Sequence, residues 1–239
     1  MLMHMRANIA YGPKLNGRGR RLFNTYNISG ISIEKYQFEN CNFGYNSNPF
    51  SKIRDSIKNS ELVDCKVSRC LIGPAEVRAT RICNLSGDML ICWGTLFDQV
   101  VIEGKISPLM LHGLPKSNPD VTIKEAHYSK AKNFYAVAPW ALDISEAKFE
   151  DFSIRTGAIP LSLVRRDINS QFLVKNVEER LSRSNIDALP VSRYTKVLLE
   201  IMIDEGLDET LLVAPKLDKS LYSQVLHDAE VLAKNGLLV

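Results

Sequence analysis

Apolar residues recur at every fifth position in the middle of the chain. Stepping by five from Leu62 gives Val67, Ile72, Val77 and Ile82, and after a slip at Gly87 the series goes on to Cys92, Phe97 and Ile102. A period of five fits neither the 3.6-residue repeat of a helix nor the two-residue alternation of a flat strand. It fits a chain that bends every five residues, so that each short edge points one large and one smaller side chain inward and the edges stack in parallel.

Three segments resemble a known repeat. They are CNFGY (41–45), LDIS (142–145) and EAKFED (146–151). They are similar to the repeat of pentapeptide-repeat proteins, in which a small residue is followed by Asp or Asn, by Leu or Phe, and by two variable residues. The resemblance covers three separated tracts. It implies a right-handed quadrilateral β-helix, and it implies no catalytic residues, because the family shares a scaffold and not an activity.

The predicted fold class is mainly β with an α/β C-terminal part. An irregular right-handed parallel β-helix or a β-roll would be followed by a small helix–strand–helix layer. The domain prediction has three parts: a flexible basic arm at 1–21, a β-helix-like domain at 22–167 with insertions at 46–60 and 105–133, and an α/β region at 168–239.

Helical spacing replaces the five-residue period after about residue 174. The pattern predicts helices at 177–184 and 192–205, the second ended by Gly206, a buried strand at 210–216, and a last helix at 219–234. Asp218 is the predicted N-cap of that last helix.

The amino-acid composition argues against several classes of function. The 239 residues are 45% hydrophobic and 24% charged, and the formal net charge is +3. This balance gives no argument for a nucleic-acid or an anionic membrane partner. No apolar run approaches the roughly 18 residues of a membrane span, and the N-terminus does not resemble a secretory signal. With five cysteines, an odd number, we expect a reduced, cytoplasmic protein.

Four cysteines, Cys41, Cys65, Cys70 and Cys92, are predicted to belong to the core, and Cys83 is predicted to be the exposed thiol. Cys65 and Cys70 have the spacing of a first pair of zinc ligands, but Cys83 and Cys92 are a poor second pair. In the five-residue phase Cys65 and Cys70 take small inward positions, where a buried cysteine acts as a small hydrophobe. We therefore expect no metal and no cofactor.

Six residues are candidates for binding, and none is predicted to be catalytic. His112, His127 and Tyr128 lie in or near polar segments, Trp140 follows Pro139, and Arg165 and Arg166 follow a β-like segment. An exposed tryptophan is typical of a binding hot spot, and the arginines suit an anion or a protein partner. The alternatives are ordinary loop polarity for the histidines, a core cap for the tryptophan and a surface ion pair for the arginines.

The function hypothesis follows by elimination. Without a nucleophile–base set, a metal set or a nucleotide loop, the sequence favours a non-enzymatic protein-binding scaffold, for instance an immunity protein that neutralises a toxin. The alternative is an enzyme with an unrecognised site between the β unit and the segment 107–133. Nucleic-acid binding through the basic arm is a third and less favoured reading. Self-association of two chains is compatible with the first.

Overall fold

The computed structural model describes residues 10–11, 15–16, 27–44, 55–115, 119–181 and 183–239. Most of the predicted basic arm, and residues 46–54 of the first predicted insertion, lie outside the described residues.

Parallel strands form two sheets. The twelve-stranded sheet contains β1 (Ala10–Tyr11), β2 (Leu15–Asn16), β3 (Asn27–Ser29), β4 (Ser32–Glu34), β5 (Gln37–Glu39), β7 (Asp55–Lys58), β8 (Glu61–Ser68), β10 (Ala75–Gly87), β12 (Leu96–Ile106), β14 (Leu142–Asp143), β15 (Ala147–Phe149) and β17 (Val164–Arg165). The five-stranded sheet contains β6 (Asn42–Phe43), β9 (Leu71–Ile72), β11 (Leu90–Trp93), β13 (Leu109–His112) and β16 (Phe152–Arg155).

The strand register repeats after about twenty residues. Arg81 lies opposite Glu61 on one side and opposite Val101 on the other. Residues with a left-handed backbone stand five apart within and between the strands: Gly30, Lys35 and Asn40; Asn59, Asp64 and Arg69; Ala79 and Asn84; Gly94, Gln99 and Gly104. The five-residue spacing of the side chains is therefore also present in the backbone.

The predicted fold class is wrong. The described strands lie in several parallel sheets in an α/β-like arrangement, and they do not indicate a closed β-helix or a β-roll. The physical reason lies in the long strands. β10 runs unbroken from Ala75 to Gly87 through the bends at Ala79 and Asn84, because its pairing with β8 and β12 continues past those bends. A five-residue spacing fixes where the chain bends, but not how the edges join into sheets.

The main core lies between the inward faces of the two parallel sheets. Val67, Val77, Phe97 and Ile102 of the predicted series are buried in it. Leu62, Ile72 and Ile82 are partly buried and pack against it. Cys65 and Cys70 are also buried, as predicted, with 1% and 6% of their surface exposed.

The described part of the chain contains five helices: α1 (Val121–Tyr135), α2 (Val177–Arg180), α3 (Arg183–Ala188), α4 (Arg193–Glu205) and α5 (Lys219–Lys234). A short 3-10 turn spans Leu161–Leu163. The predicted helix at 177–184 is replaced by α2 and α3, since the chain becomes extended at Leu181. Helix α1 was not predicted, and it fills much of the expected insertion at 105–133. None of the helices in the described part of the chain is long and apolar enough to cross a membrane.

Helices α4 and α5 and the strand between them lie where the sequence predicts them, whereas a strand at Gln171–Lys175 was not predicted. Helix α4 begins after its N-cap Ser192 and ends at Gly206, which has a left-handed backbone. Asp218 caps α5 by accepting a hydrogen bond from the Leu221 amide at 3.0 Å. Strand β19 (Glu209–Val213) pairs antiparallel with β18 (Gln171–Lys175). These elements enclose a second core.

Polar contacts join the C-terminal elements to the sheets. The Gln171 side chain donates to the Ile144 carbonyl at 2.9 Å, and the Thr210 hydroxyl donates to the Ile154 carbonyl at 3.3 Å. The Tyr194 hydroxyl donates to Asp151 at 3.0 Å. Burial, followed by the Asp151 carboxylate, raises the pKa of Tyr194 well above its usual range. The predicted domain boundary between residues 167 and 168 remains a prediction.

Candidate functional site

The five-stranded sheet has two different faces. In β11, β13 and β16, buried and half-buried residues alternate, because successive side chains of a strand point to opposite faces. Cys92, Leu111 and Ile154 point into the main core. Their neighbours, which point away from the core, form the outer face of the sheet.

Apolar residues form a row on this outer face. Leu71 pairs with Ile91, and Ile91 pairs with Met110, on the neighbouring strands β9, β11 and β13. All three are half-buried. Strands of a sheet lie about 4.8 Å apart, so the row spans roughly 10 Å. These three residues are called the apolar row below.

Several outward residues on the twelve-stranded sheet are charged and paired, in contrast to the apolar row. Arg81 forms ion pairs with Glu61 and Glu103. Arg78 contacts Asp98 at 2.8 Å and Glu76 at 3.2 Å. Charged outer positions suit a surface that faces water. A row of apolar outward residues does not suit a surface that only contacts water. The outer face of the five-stranded sheet is therefore the candidate binding surface.

A second row lies beside the first and mixes aromatic and polar groups. Trp93, His112 and Arg155 follow one another on β11, β13 and β16. The Trp93 and His112 rings have centroids 4.3 Å apart. Nδ1 of His112 accepts a hydrogen bond from the Leu114 amide at 3.2 Å and lies 3.2 Å from the Thr156 hydroxyl. A ring nitrogen that accepts carries no proton, so the proton of the neutral imidazole is on Nε2.

The charge state of His112 is set by its surroundings. Burial is the main cause that lowers the pKa of His112, and the Arg155 cation lowers it further, while the Glu205 carboxylate acts in the opposite direction. A charged imidazole would also need to donate from Nδ1, where the Leu114 amide already donates. The site therefore favours neutral His112.

Glu205, the last residue of α4, fixes the end of this second row. Its carboxylate accepts from the Arg155 side chain at 2.7 Å and from the Thr156 amide at 2.7 Å. This pairing balances the charge of Arg155, so the outer face offers an almost neutral surface. It also anchors the C-terminal helix to the edge of that face.

The other two candidates from the polar segments lie elsewhere, on α1. His127 is 2% exposed and belongs to the buried residues. Tyr128 is 38% exposed, and burial, followed by the Glu205 carboxylate, raises its pKa. His127 is therefore inaccessible as an acid–base group, and the structure does not bring all three candidates onto one surface.

Trp140 and the two arginines lie at the end of the twelve-stranded sheet. The Arg165 guanidinium stacks 4.3 Å from the centre of the Trp140 ring, and it lies 3.9 Å from the Asp143 carboxylate. Arg166 donates to the Gln171 carbonyl at 2.8 Å. Stacking of Trp140 on Arg165 was not foreseen, and a binding role for these three residues stays a prediction.

The five cysteines, all within the described residues, form no disulfide. Desolvation raises the pKa of the buried Cys92 thiol to about 12. Within the described ranges, no three His, Cys, Asp or Glu side chains lie close enough together to hold a metal ion.

The sequence prediction missed the apolar row and Trp93. A signal for them existed: Leu71 and Ile91 directly precede the inward positions 72 and 92, where an outward residue is expected to be polar. The five-residue period identifies 71 and 91 as outward positions, so it could have shown that apolar residues are unusual there. It could not do the same for Met110, because the period is broken before β13.

No family model, no curated protein and no solved structure matches this chain.

Proposed function

We propose that this protein is a non-enzymatic binding protein that recognises a protein partner through the outer face of its five-stranded sheet. The observation that carries the proposal is the apolar row of Leu71, Ile91 and Met110 beside the stacked Trp93 and His112. Cores of protein interfaces are poor in charged residues and rich in aromatic residues and methionine. The composition of this face fits that description.

The rigid support of the face also favours binding. Each outward residue stands directly next to a core residue of the same strand, and parallel strands hold the rows in fixed register. A preorganised surface loses little conformational entropy when a partner binds. The near-neutral charge of the face favours an apolar protein surface over a polyanion such as a nucleic acid.

We attach a cellular role to this binding. The protein neutralises its partner, as an immunity protein neutralises a toxin. A cytoplasmic location belongs to the same proposal, and the free state of the five cysteines supports a reducing compartment. The alternative of an enzyme is less favoured, because His127 is buried and Nδ1 of His112 is engaged in hydrogen bonds.

Affinity capture with two matched variants tests the proposal. Ile91→Arg places a charge in the apolar row. Val101→Arg places the same charge at an outward, half-buried position of the twelve-stranded sheet, in register with Arg81 and Asp143. In a lysate of the source cells, we expect the wild type and Val101→Arg to retain one stoichiometric protein that Ile91→Arg loses. Equal capture by all three, or capture by none, would contradict the proposal.

A further inference from the structure

A cleft separates α1 from the segment 157–163. Its volume is about 510 Å³, which lies in the usual range for small-molecule sites. Helix α1 supplies Tyr128, Ala131, Lys132 and Tyr135, which share one helix face because they stand three, four and seven positions apart. The opposite side includes Gly157, Pro160, Ser162 and Leu163.

The two sides of the cleft are held together by Tyr135. Its hydroxyl donates to the Ala158 carbonyl and accepts from the Phe97 amide, both at 3.3 Å. The Tyr135 side chain is buried, as is its neighbour Phe134. One hydroxyl therefore ties α1 to the twelve-stranded sheet and to the opposite side of the cleft, so the cleft is preformed.

Gly157 forms an exposed edge of the cleft and leaves room for a ligand. Gly157 has a φ of +62°, and a Cβ built on it would meet no atom within 4 Å. A ligand can thus approach the backbone there without meeting a side chain. Ala131 and Ala136 line the helix side with small side chains.

The residues that line the cleft are mostly apolar and include one cation. The Tyr128 ring, the alanines, Pro160 and Leu163 offer apolar contact, while Lys132 offers an ammonium group and Ser162 a hydroxyl. From this arrangement we propose that the cleft binds a small monocarboxylic acid with an aromatic or aliphatic body. The carboxylate pairs with Lys132, Ser162 donates to it, and the apolar body lies against Tyr128 and Pro160.

One lysine argues against more highly charged ligands. Nucleotide and polyphosphate sites use arginines, several lysines or a run of backbone amides. Among the lining residues Lys132 is the only cation. A single charge and a cleft of this size match a monoanion whose remaining atoms are apolar.

Titration calorimetry with 4-phenylbutyrate tests the proposal, with 4-phenylbutyramide as the uncharged probe. We expect the acid to bind the wild type with a Kd on the order of 0.1–1 mM, and the amide to bind at least about tenfold more weakly. Lys132→Gln should weaken binding of the acid about tenfold without changing that of the amide. Lys148→Gln, an exposed lysine on β15, removes the same charge elsewhere and should change neither.

Ser162→Trp provides a second variant, since it fills the cleft from an exposed position and should abolish binding of the acid. Failure of the acid to bind, equal affinity for acid and amide, or an unchanged affinity in Lys132→Gln would overturn the proposal. Ile91→Arg should leave acid binding intact, so this proposal and the proposed protein-binding function fail independently.

Discussion

Trp93 and His112 occupy the same register position on neighbouring parallel strands, with ring centroids 4.3 Å apart and an interplanar angle of 40°. The indole covers one side of the imidazole on the outer face of the five-stranded sheet. Through Thr156 the imidazole is linked to Glu205 at the end of α4. The proposed binding face is thus connected to the C-terminal helices by a short series of polar contacts.

His112 should make stability depend on pH. Its pKa in the folded state is lowered, so the unfolded chain takes up a proton first as the pH falls through about 6.5. The stabilisation is therefore fully present above that pH and is lost as the pH falls towards the folded-state pKa. Urea unfolding at pH 7.5, 6.5 and 5.5 measures this loss.

His112→Asn is the control for this pH effect, because an asparagine can keep an acceptor near the Leu114 amide but does not titrate. We expect its free energy of unfolding to fall less steeply between pH 7.5 and 5.5 than that of the wild type. Equal slopes in the two proteins would show that His112 does not contribute.

Met110 and Leu111 are adjacent residues on opposite faces of β13. Leu111 is 1% exposed in the main core, and Leu111→Ala should lower the free energy of unfolding by about 2–5 kcal/mol through lost contacts and a cavity. Met110→Ala should cost about 1 kcal/mol or less, since its side chain lies on the outer face. Denaturant unfolding measures both. If Met110→Ala lowered the free energy of unfolding as much as Leu111→Ala, the placement of Met110 on the outer face would be contradicted.

Asp228 holds the start of α4 through side-chain contacts from α5. Its carboxylate accepts from the Ser192 amide at 2.9 Å, from the Thr195 hydroxyl at 2.7 Å, and from the Ser192 hydroxyl. Asp228→Ala leaves the buried Thr195 hydroxyl and the half-buried Ser192 donors without this acceptor, so we expect a loss of about 3 kcal/mol in the free energy of unfolding. Asp218→Ala removes an exposed N-cap and should cost about 1 kcal/mol. Thermal and urea unfolding compare the two, and equal losses would refute the special role of Asp228.

The five thiols should differ in reactivity. Cys65, Cys70 and Cys92 are buried, whereas Cys41 and Cys83 are half-buried. Burial raises the pKa of Cys92 to about 12 from an ordinary 9.0, which reduces its thiolate fraction roughly a thousandfold, and the thiolate is the reactive form. With a disulfide reagent and peptide mapping, Cys41 and Cys83 should be labelled first. Labelling of Cys92 before global unfolding would contradict this order.

Local features were well predicted by the sequence. Ser192, Gly206 and Asp218 mark helix ends at which side-chain and backbone geometry act over three or four residues. The burial of Cys65 and Cys70 followed from a spacing that is also local. The fold class was predicted wrongly, since it depends on how backbone hydrogen bonds continue across bends between strands twenty residues apart.

The amino-acid sequence by itself determined where this chain bends, where α4 and α5 begin and end, and that Cys65, Cys70 and Cys92 are buried, because these depend on near neighbours and on alternation along the chain. Only the tertiary structure decided that Leu71, Ile91 and Met110 form one row, that Glu205 pairs with Arg155, and that α1 forms a cleft with the segment 157–163. Each of these depends on residues about 20 to 50 positions apart, and their meeting is set by strand register and by the packing of helices on sheets.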